Sequence, residues 1–280
     1  MCRAVKRYCI IVAGGSGRRM KAAIPKQFLL LEGRPVLMHT VERFSTFDPL
    51  ISIIVVLPAE HHALWRQLCA EHSFGVSHTV VAGGEERFHS VKAGLGQVAA
   101  EMKWSARKQA VPGDGSTAGR EAVPGEGSAA GPDAVRGDGP TGAGVNEIRS
   151  ADETLIAIHD GVRPLVSNDT IWRCFADAEE FGNAVPFIEP ADSVRVLDGD
   201  DSRPVHRNTV RLIQTPQVFR GSVIINAYDR EFDASFTDDA TVAEADGIKI
   251  HLTHGNRENL KITTPEDLAV AATLAPLLRQ

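Results

Sequence analysis

Short apolar runs recur along the first 190 residues, each followed by a stretch in which apolar side chains return every three or four positions. Cys9–Val12, Ile51–Leu57, Thr79–Val81, Leu155–His159 and Ala184–Ile188 are brief and rich in β-branched side chains, the pattern of buried strands. Pro35–Phe44, Ala59–His72, Arg87–Ala100 and Thr170–Phe181 carry the helical spacing between them. Strands alternating with helices imply βαβ units, so the expected fold is α/β: a Rossmann-like, mainly parallel sheet flanked by helices. Ligands of such sheets collect at the carboxyl ends of the strands.

Two stretches break the rhythm. Between Trp104 and Ser150 the run Ala110-Val111-Pro112-Gly113-Asp114-Gly115-Ser116 returns, slightly altered, from Ala122 and again from Ala134, twelve residues apart each time. Large apolar side chains are nearly absent there, so burial cannot offset the entropy of ordering the chain. Residues 103–150 are expected to be a disordered Gly/Pro/Ala-rich insertion within one domain spanning 1–280. From Ala191, Ser193–Leu197 and Val205–Leu212 form two partly alternating runs around Asp198-Gly199-Asp200-Asp201. That reads as a β-hairpin with an Asp-Gly turn, an arm over 191–213. A lone hairpin is marginal in water, so it is expected to dock on another surface.

Composition narrows the classes of function. Of 280 residues 43% are hydrophobic and 24% charged, and the net charge is −6. An acidic balance argues against general binding of nucleic acid or anionic membrane. The four cysteines, Cys2, Cys9, Cys69 and Cys174, contain no CxxC pair, so neither a disulfide framework nor a zinc site is indicated. The apolar run Cys9–Ala13 is too short for a secretory signal, and no segment approaches a membrane span. A cytoplasmic location is the expectation.

Candidate chemistry begins where the first strand breaks into Ala13-Gly14-Gly15-Ser16-Gly17-Arg18-Arg19-Met20, followed by Pro25-Lys26-Gln27. Glycines let backbone N–H groups approach phosphate oxygens, and the basic side chains add fixed positive charge. The P-loop pattern fails because no glycine precedes a Lys-Ser or Lys-Thr pair, and the dinucleotide fingerprint fails because Met20 takes the place of its third glycine. A second glycine-led turn, Gly83-Gly84-Glu85-Glu86, opens the helix carrying Arg87 and Ser90, three apart and on one face. Ile158-His159-Asp160-Gly161-Val162-Arg163 ends a strand with an acid suited to Mg2+, which is usually held by one or two carboxylates plus phosphates. His159 reads as a satisfied strand-end histidine. Near the carboxyl end, Thr264-Pro265-Glu266-Asp267 has the form of a helix start: a cap, proline in the first turn and acids beside it.

Together these motifs resemble the nucleotidyltransferases that act on sugar and polyol phosphates. The similarity is greatest to the 2-C-methyl-D-erythritol 4-phosphate cytidylyltransferases of the non-mevalonate isoprenoid pathway, over nearly the whole chain except roughly 103–150. The resemblance implies transfer of CMP from CTP to methylerythritol phosphate with Mg2+. It implies phosphate contacts from Arg19, Lys26 and Lys261, and a nucleotide pocket of Ala13, Gly14, Gly15, Gly17, Gly84, Arg87, Ser90 and Asp160. It assigns metal contacts to Asp160 and, where the family has Asp, Glu258. Arg163, Ser193, Arg207, Thr215, Thr237 and Asp238 fall to the acceptor, with the arm embracing a second subunit in a homodimer. The alternatives are a ribitol-5-phosphate cytidylyltransferase, whose family shares the glycine turn, and a regulatory protein that binds nucleotide without turnover. Deleting residues 106–147 is expected to leave the circular dichroism spectrum and turnover close to those of the full chain; turnover lost from a folded deletion would show that the insertion is more than a linker.

Overall fold

The computed structural model describes residues 5–15, 24–102 and 151–279. Gly17, Arg18, Arg19 and the repeat at 103–150 lie outside the described residues.

The first half comprises β1 (Lys6–Val12), a small ribbon of β2 (Leu30–Leu31) and β3 (Arg34–Pro35), α1 (Val36–Phe47), β4 (Ser52–Leu57), α2 (His62–Glu71), β5 (Thr79–Ala82) and α3 (Arg87–Glu101). There follow β6 (Thr154–Asp160), α4 (Asn168–Phe181), β7 (Asn183–Ile188), the hairpin β8 (Val194–Asp198) and β9 (Asp201–Val205), then β10 (Leu212–Ile213) and β11 (Gln217–Arg220). The chain continues through α5 (Gly221–Ala227), α6 (Asp239–Ala245), β12 (Leu252–His254) and α7 (Pro265–Leu274).

The main sheet runs β10-β7-β11-β6-β1-β4-β5, with β12 also paired to β7. The pairs β1 with β4 and β6, β4 with β5, and β7 with β12 are parallel, whereas β11 is antiparallel to both β6 and β7. The sheet is largely parallel, as the alternation of strands and helices predicts. Its central strand β6 is buried at every position from Thr154 to Asp160, because helices cover both faces. Alternation along β1 shows the layering. Cys9 and Ile11 pack with Leu37, Phe44 and Phe175 on one face, and Tyr8 and Ile10 pack with Phe88, Val91 and Leu95 on the other. Each large apolar side chain buried this way contributes roughly 1.5–3 kcal/mol.

Local signals set the helix ends. The Ser167 side chain caps α4 by accepting from the Thr170 N–H, and Gly182, at φ 89°, ends it in a left-handed turn. Thr264 and Asp267 form a reciprocal capping box on α7 with Pro265 in its first turn, as the sequence suggests. The hairpin corrects an expectation. Its second strand is Asp201–Val205, not Val205–Leu212; that run breaks at the 3-10 turn Arg207–Thr209, and only Leu212–Ile213 extends again, against β7.

His159, in the middle of the core, is fully engaged. Its Nε2 lies 3.1 Å from the Arg163 carbonyl, which only accepts, so the neutral ring carries its proton there. Nδ1 then accepts from the Thr215 hydroxyl at 2.9 Å, and the same oxygen accepts from the Asp160 N–H at 3.1 Å. Burial lowers the His159 pKa to about 4, against the pull of the Arg163 carbonyl and the Asp160 charge. A folded pKa below the unfolded value means this contribution is complete above the unfolded pKa and is lost as pH falls from about 6.5 to about 4. The stability gap between the parent chain and His159→Gln, measured by urea unfolding, is expected to narrow by about 3 kcal/mol from pH 7 to pH 4. A gap independent of pH would refute the buried neutral histidine.

Candidate functional site

Strand order reverses direction at β1: β4 lies on one side and β6, reached only after β5 and α3, on the other. A crevice opens at the carboxyl ends of strands at such a point. Ala13-Gly14-Gly15 leave β1 there, beside Asp160 and Gly161 at the end of β6, and the Gly161 N–H donates to the Val12 carbonyl at 2.8 Å. The result is a cavity of about 420 Å3 lined by Ala13, Gly14, Gly15, Lys26, Gly84, Arg87, Ser90, Asp160 and Lys261. Val12, Gln27, Glu85, Glu86 and Val162 complete its wall.

Each wall has its own support. Lys26 sits on the 3-10 turn that Pro25 begins, and its Cε stem packs over Gly15, where a side chain would meet it at 3.4 Å. Gln27 anchors the same turn by donating from Nε2 to the Ala13 carbonyl at 2.7 Å, and Phe28 stacks on Trp65 of α2. The turn before α3 closes on Ser90. Its buried hydroxyl accepts from the Gly84 N–H at 3.3 Å, and a Cβ on Gly83 would stand 2.8 Å from that oxygen. Glycine at 83 lets the turn close on the Ser90 hydroxyl without displacing it.

Asp160 is the electrostatic centre. Oδ2 accepts from Arg163 Nε at 3.1 Å and lies 3.0 Å from Lys261 Nζ, while Oδ1 is 3.7 Å from Arg87 Nε. Burial alone would raise its pKa, but Lys261, Arg87 and Arg163 outweigh that and hold the carboxyl well below the usual range. It is therefore an anion throughout the neutral range. Arg87 is held in turn by Asp239, and the Asp239 charge keeps the guanidinium protonated against the opposing effect of burial.

The residues expected at the acceptor lie outside the cavity wall, most of them with partners within the chain. Arg163 is nearly buried, donating to Asp160 and, from Nη1, to the Asn259 carbonyl at 2.8 Å. Thr215 is buried beneath Asp160 with its hydroxyl engaged by His159. Asp238 caps α6, accepting from the Thr241 N–H at 2.9 Å and from Gln217 Nε2 at 2.8 Å, with Thr237 exposed beside it. Ser193 and Arg207 line a separate concavity at the base of the arm, with Arg207 Nη1 donating to the Ala191 carbonyl at 3.1 Å. Glu258 Oε2 accepts from Asn256 Nδ2 at 3.1 Å and is not part of the cavity wall. Among the described residues no group of three or more His, Cys, Asp and Glu converges. A metal at Asp160 would therefore take most of its ligands from a nucleotide's phosphates and from water, an arrangement usual for magnesium. An ionised carboxylate on the wall of a cavity lined by Lys26, Arg87 and Lys261 fits that use.

The sequence reading missed Asp239, Tyr228, Gln27 and Asn259, all of which hold the site in shape. Asp239 had a signal: two consecutive acids open α6, and the capping role explains only one of them.

Comparison with known proteins identifies the family of the chain. The family model for IspD, 2-C-methyl-D-erythritol 4-phosphate cytidylyltransferase, matches residues 8–107 and 139–275. A protein of that name from Bacteroides fragilis is 42% identical over 274 residues, covering 98% of this chain and 100% of the relative. Another from Clostridium acetobutylicum is 30% identical, covering 95% of each. The fold matches the solved 4-diphosphocytidyl-2C-methyl-D-erythritol synthase of Anaerococcus prevotii with a TM-score of 0.65 at 23% identity, over 97% of this chain and 96% of that one. The chain belongs to the 2-C-methyl-D-erythritol 4-phosphate cytidylyltransferase family.

Proposed function

We propose that the chain transfers CMP from CTP to 2-C-methyl-D-erythritol 4-phosphate, releasing pyrophosphate, and that it works with magnesium as a cytoplasmic homodimer. The observation that carries this reading is the single cavity that joins the glycine turn, Lys26, the Gly84–Ser90 turn and the Asp160–Lys261 pair. The names of the relatives support the choice of acceptor.

The chemistry follows from the charges. A phosphate oxygen of the acceptor attacks the α-phosphorus of CTP, a new P–O bond forms, and the bond to the β-phosphate's bridging oxygen breaks. A phosphate monoester is already largely deprotonated at neutral pH, so no side chain has to act as base. Negative charge grows on the oxygens around the α-phosphorus and on the departing pyrophosphate. Lys26 and Lys261 are fixed cations on the cavity wall and neutralise that charge without reorganising. Backbone N–H groups of Gly14 and Gly15 suit phosphate, the Ala13 N–H being donated to the Val56 carbonyl at 2.9 Å, and Ser90 with the Gly84 turn suits the pyrimidine. Asp160, kept ionised, would hold magnesium, which when bound screens phosphate oxygens from one another.

The acceptor side draws on the arm. Leu197 is 79% exposed and Val196 40%, so the hairpin presents apolar surface that a second subunit would cover. Ser193 and Arg207, at its base, would then face the partner's cavity.

Pyrophosphate release measured over a panel of nucleotides and polyol phosphates tests the reading. CTP with methylerythritol phosphate is expected to give the highest kcat/KM. Preference for ribitol 5-phosphate would reassign the acceptor, and CTP binding without turnover would leave a binding protein. Lys26→Ala is expected to lower kcat by about 10²–10³, the scale of losing one preorganised donor; near-normal turnover would remove Lys26 from its role.

A further inference from the structure

Arg87 stands between two carboxylates. Its Nη1 and Nη2 donate to Asp239 Oδ1 and Oδ2 at 2.8 and 2.6 Å, a two-pronged match of fork to carboxylate. Its remaining nitrogen, Nε, faces Asp160 Oδ1 at the longer distance of 3.7 Å. Asp239 is fully buried, and the Tyr228 hydroxyl donates to its Oδ1 at 2.7 Å. Phe88, next to Arg87, stacks on Tyr228 with ring centroids 4.8 Å apart and on Phe236 at 5.7 Å. The start of α6, the end of α5 and the loop between them are thus packed onto the first turn of α3, the turn that lines the cavity.

Two carboxylates compete for one guanidinium here, and the geometry shows which wins. Arg87 forms a neutral, hydrogen-bonded pair with Asp239. Asp160 keeps Arg163 and Lys261 on Oδ2, and Arg87 beside Oδ1 only through the long contact. Without the Asp239 charge, nothing of comparable strength would hold the fork away. A modest rotation would bring it onto Asp160, where a third close cation would cover the side of the carboxylate left to Oδ1.

We propose that Asp239 is a positioning residue: by holding both terminal nitrogens of Arg87, it keeps the guanidinium from closing on Asp160 and leaves that carboxylate available to the cavity it lines. The inference rests on the reading of this cavity as the CTP site. It concerns a residue that touches neither substrate and lies 152 positions from Arg87 in sequence.

The test is a double-mutant comparison of Asp239→Asn, Arg87→Met and the two together, with folding checked by circular dichroism. Turnover is followed by pyrophosphate release, and KM is measured separately for CTP and for methylerythritol phosphate. Asp239→Asn is expected to lower kcat/KM for CTP at least tenfold while KM for the acceptor stays within twofold, a split that general loosening of the fold would not produce. Adding Arg87→Met should cause no further loss and should bring the value back toward that of Arg87→Met alone, because the misplaced guanidinium is then gone. A folded Asp239→Asn within twofold of the parent, losses that multiply in the double variant, or a parallel rise in both KM values would overturn the proposal. If Asp239→Asn does not fold, Tyr228→Phe, which removes only the hydroxyl steadying Asp239, should lower the same parameter two- to fivefold; a value equal to the parent's would refute it. An active parent with an indifferent Asp239→Asn counts against Asp239 alone. A parent inactive with CTP counts against the functional reading, and CTP affinity by calorimetry then carries the same comparison, with a tenfold weakening expected and an unchanged affinity overturning it.

Discussion

Everything at the crevice is arranged around one buried anion. A carboxylate with 9% of its side chain exposed is costly to ionise unless cations surround it. Asp160 draws them from one near and two distant stretches: Arg163 from the turn after its own strand, Arg87 from the start of α3, and Lys261 from the segment before α7. Arg87 is placed by a helix, whereas Arg163 and Lys261 sit on loop segments held by the hydrogen bonds of the surrounding backbone. The shared opening depends on the sheet order, because β1 and β6 must be neighbours for the glycine turn and Asp160 to meet there.

The second layer consists of groups that hold the first in place. Thr215 links the Asp160 backbone to His159, His159 reaches the Arg163 carbonyl, and Asn259 Nδ2 donates to the Thr215 carbonyl at 2.8 Å while its own carbonyl accepts from Arg163. The loop is closed: strand end, arginine and the lysine-bearing segment brace one another. Preorganisation of this kind lets fixed charges act on a developing negative charge without moving.

Much of this was legible in the chain because the signals are local. The apolar run ending in Ala13-Gly14-Gly15 marks a strand entering a phosphate-sized turn, and Pro25-Lys26-Gln27 marks a directed cation. Lys261, Asp160, Arg87 and Ser90 could be named from motifs, and the structure brings all four to one cavity. What the motifs do not reveal is the set of partners within the protein: Thr215 engages His159, Asp238 caps α6, and Arg163 reaches the Asn259 carbonyl, all across long stretches of sequence or by local capping. Period-two patterning likewise continued through Val205–Leu212, but it cannot show that the chain leaves the hairpin at Arg207 to rejoin the sheet at Leu212.

The direction of α3 has a consequence for where the chain leaves and rejoins the sheet. The helix begins at the cavity with Arg87 and runs fifteen residues away from it, about 22 Å of axis. Strand β6 then starts at the same far end and returns to the cavity at Asp160. Both ends of the chain that flank residues 103–150 thus emerge from the floor of the sheet, across the full thickness of the domain from the chemistry. The length of α3 thus separates the points where the chain leaves and rejoins the sheet from the space lined by Lys26, Asp160 and Lys261.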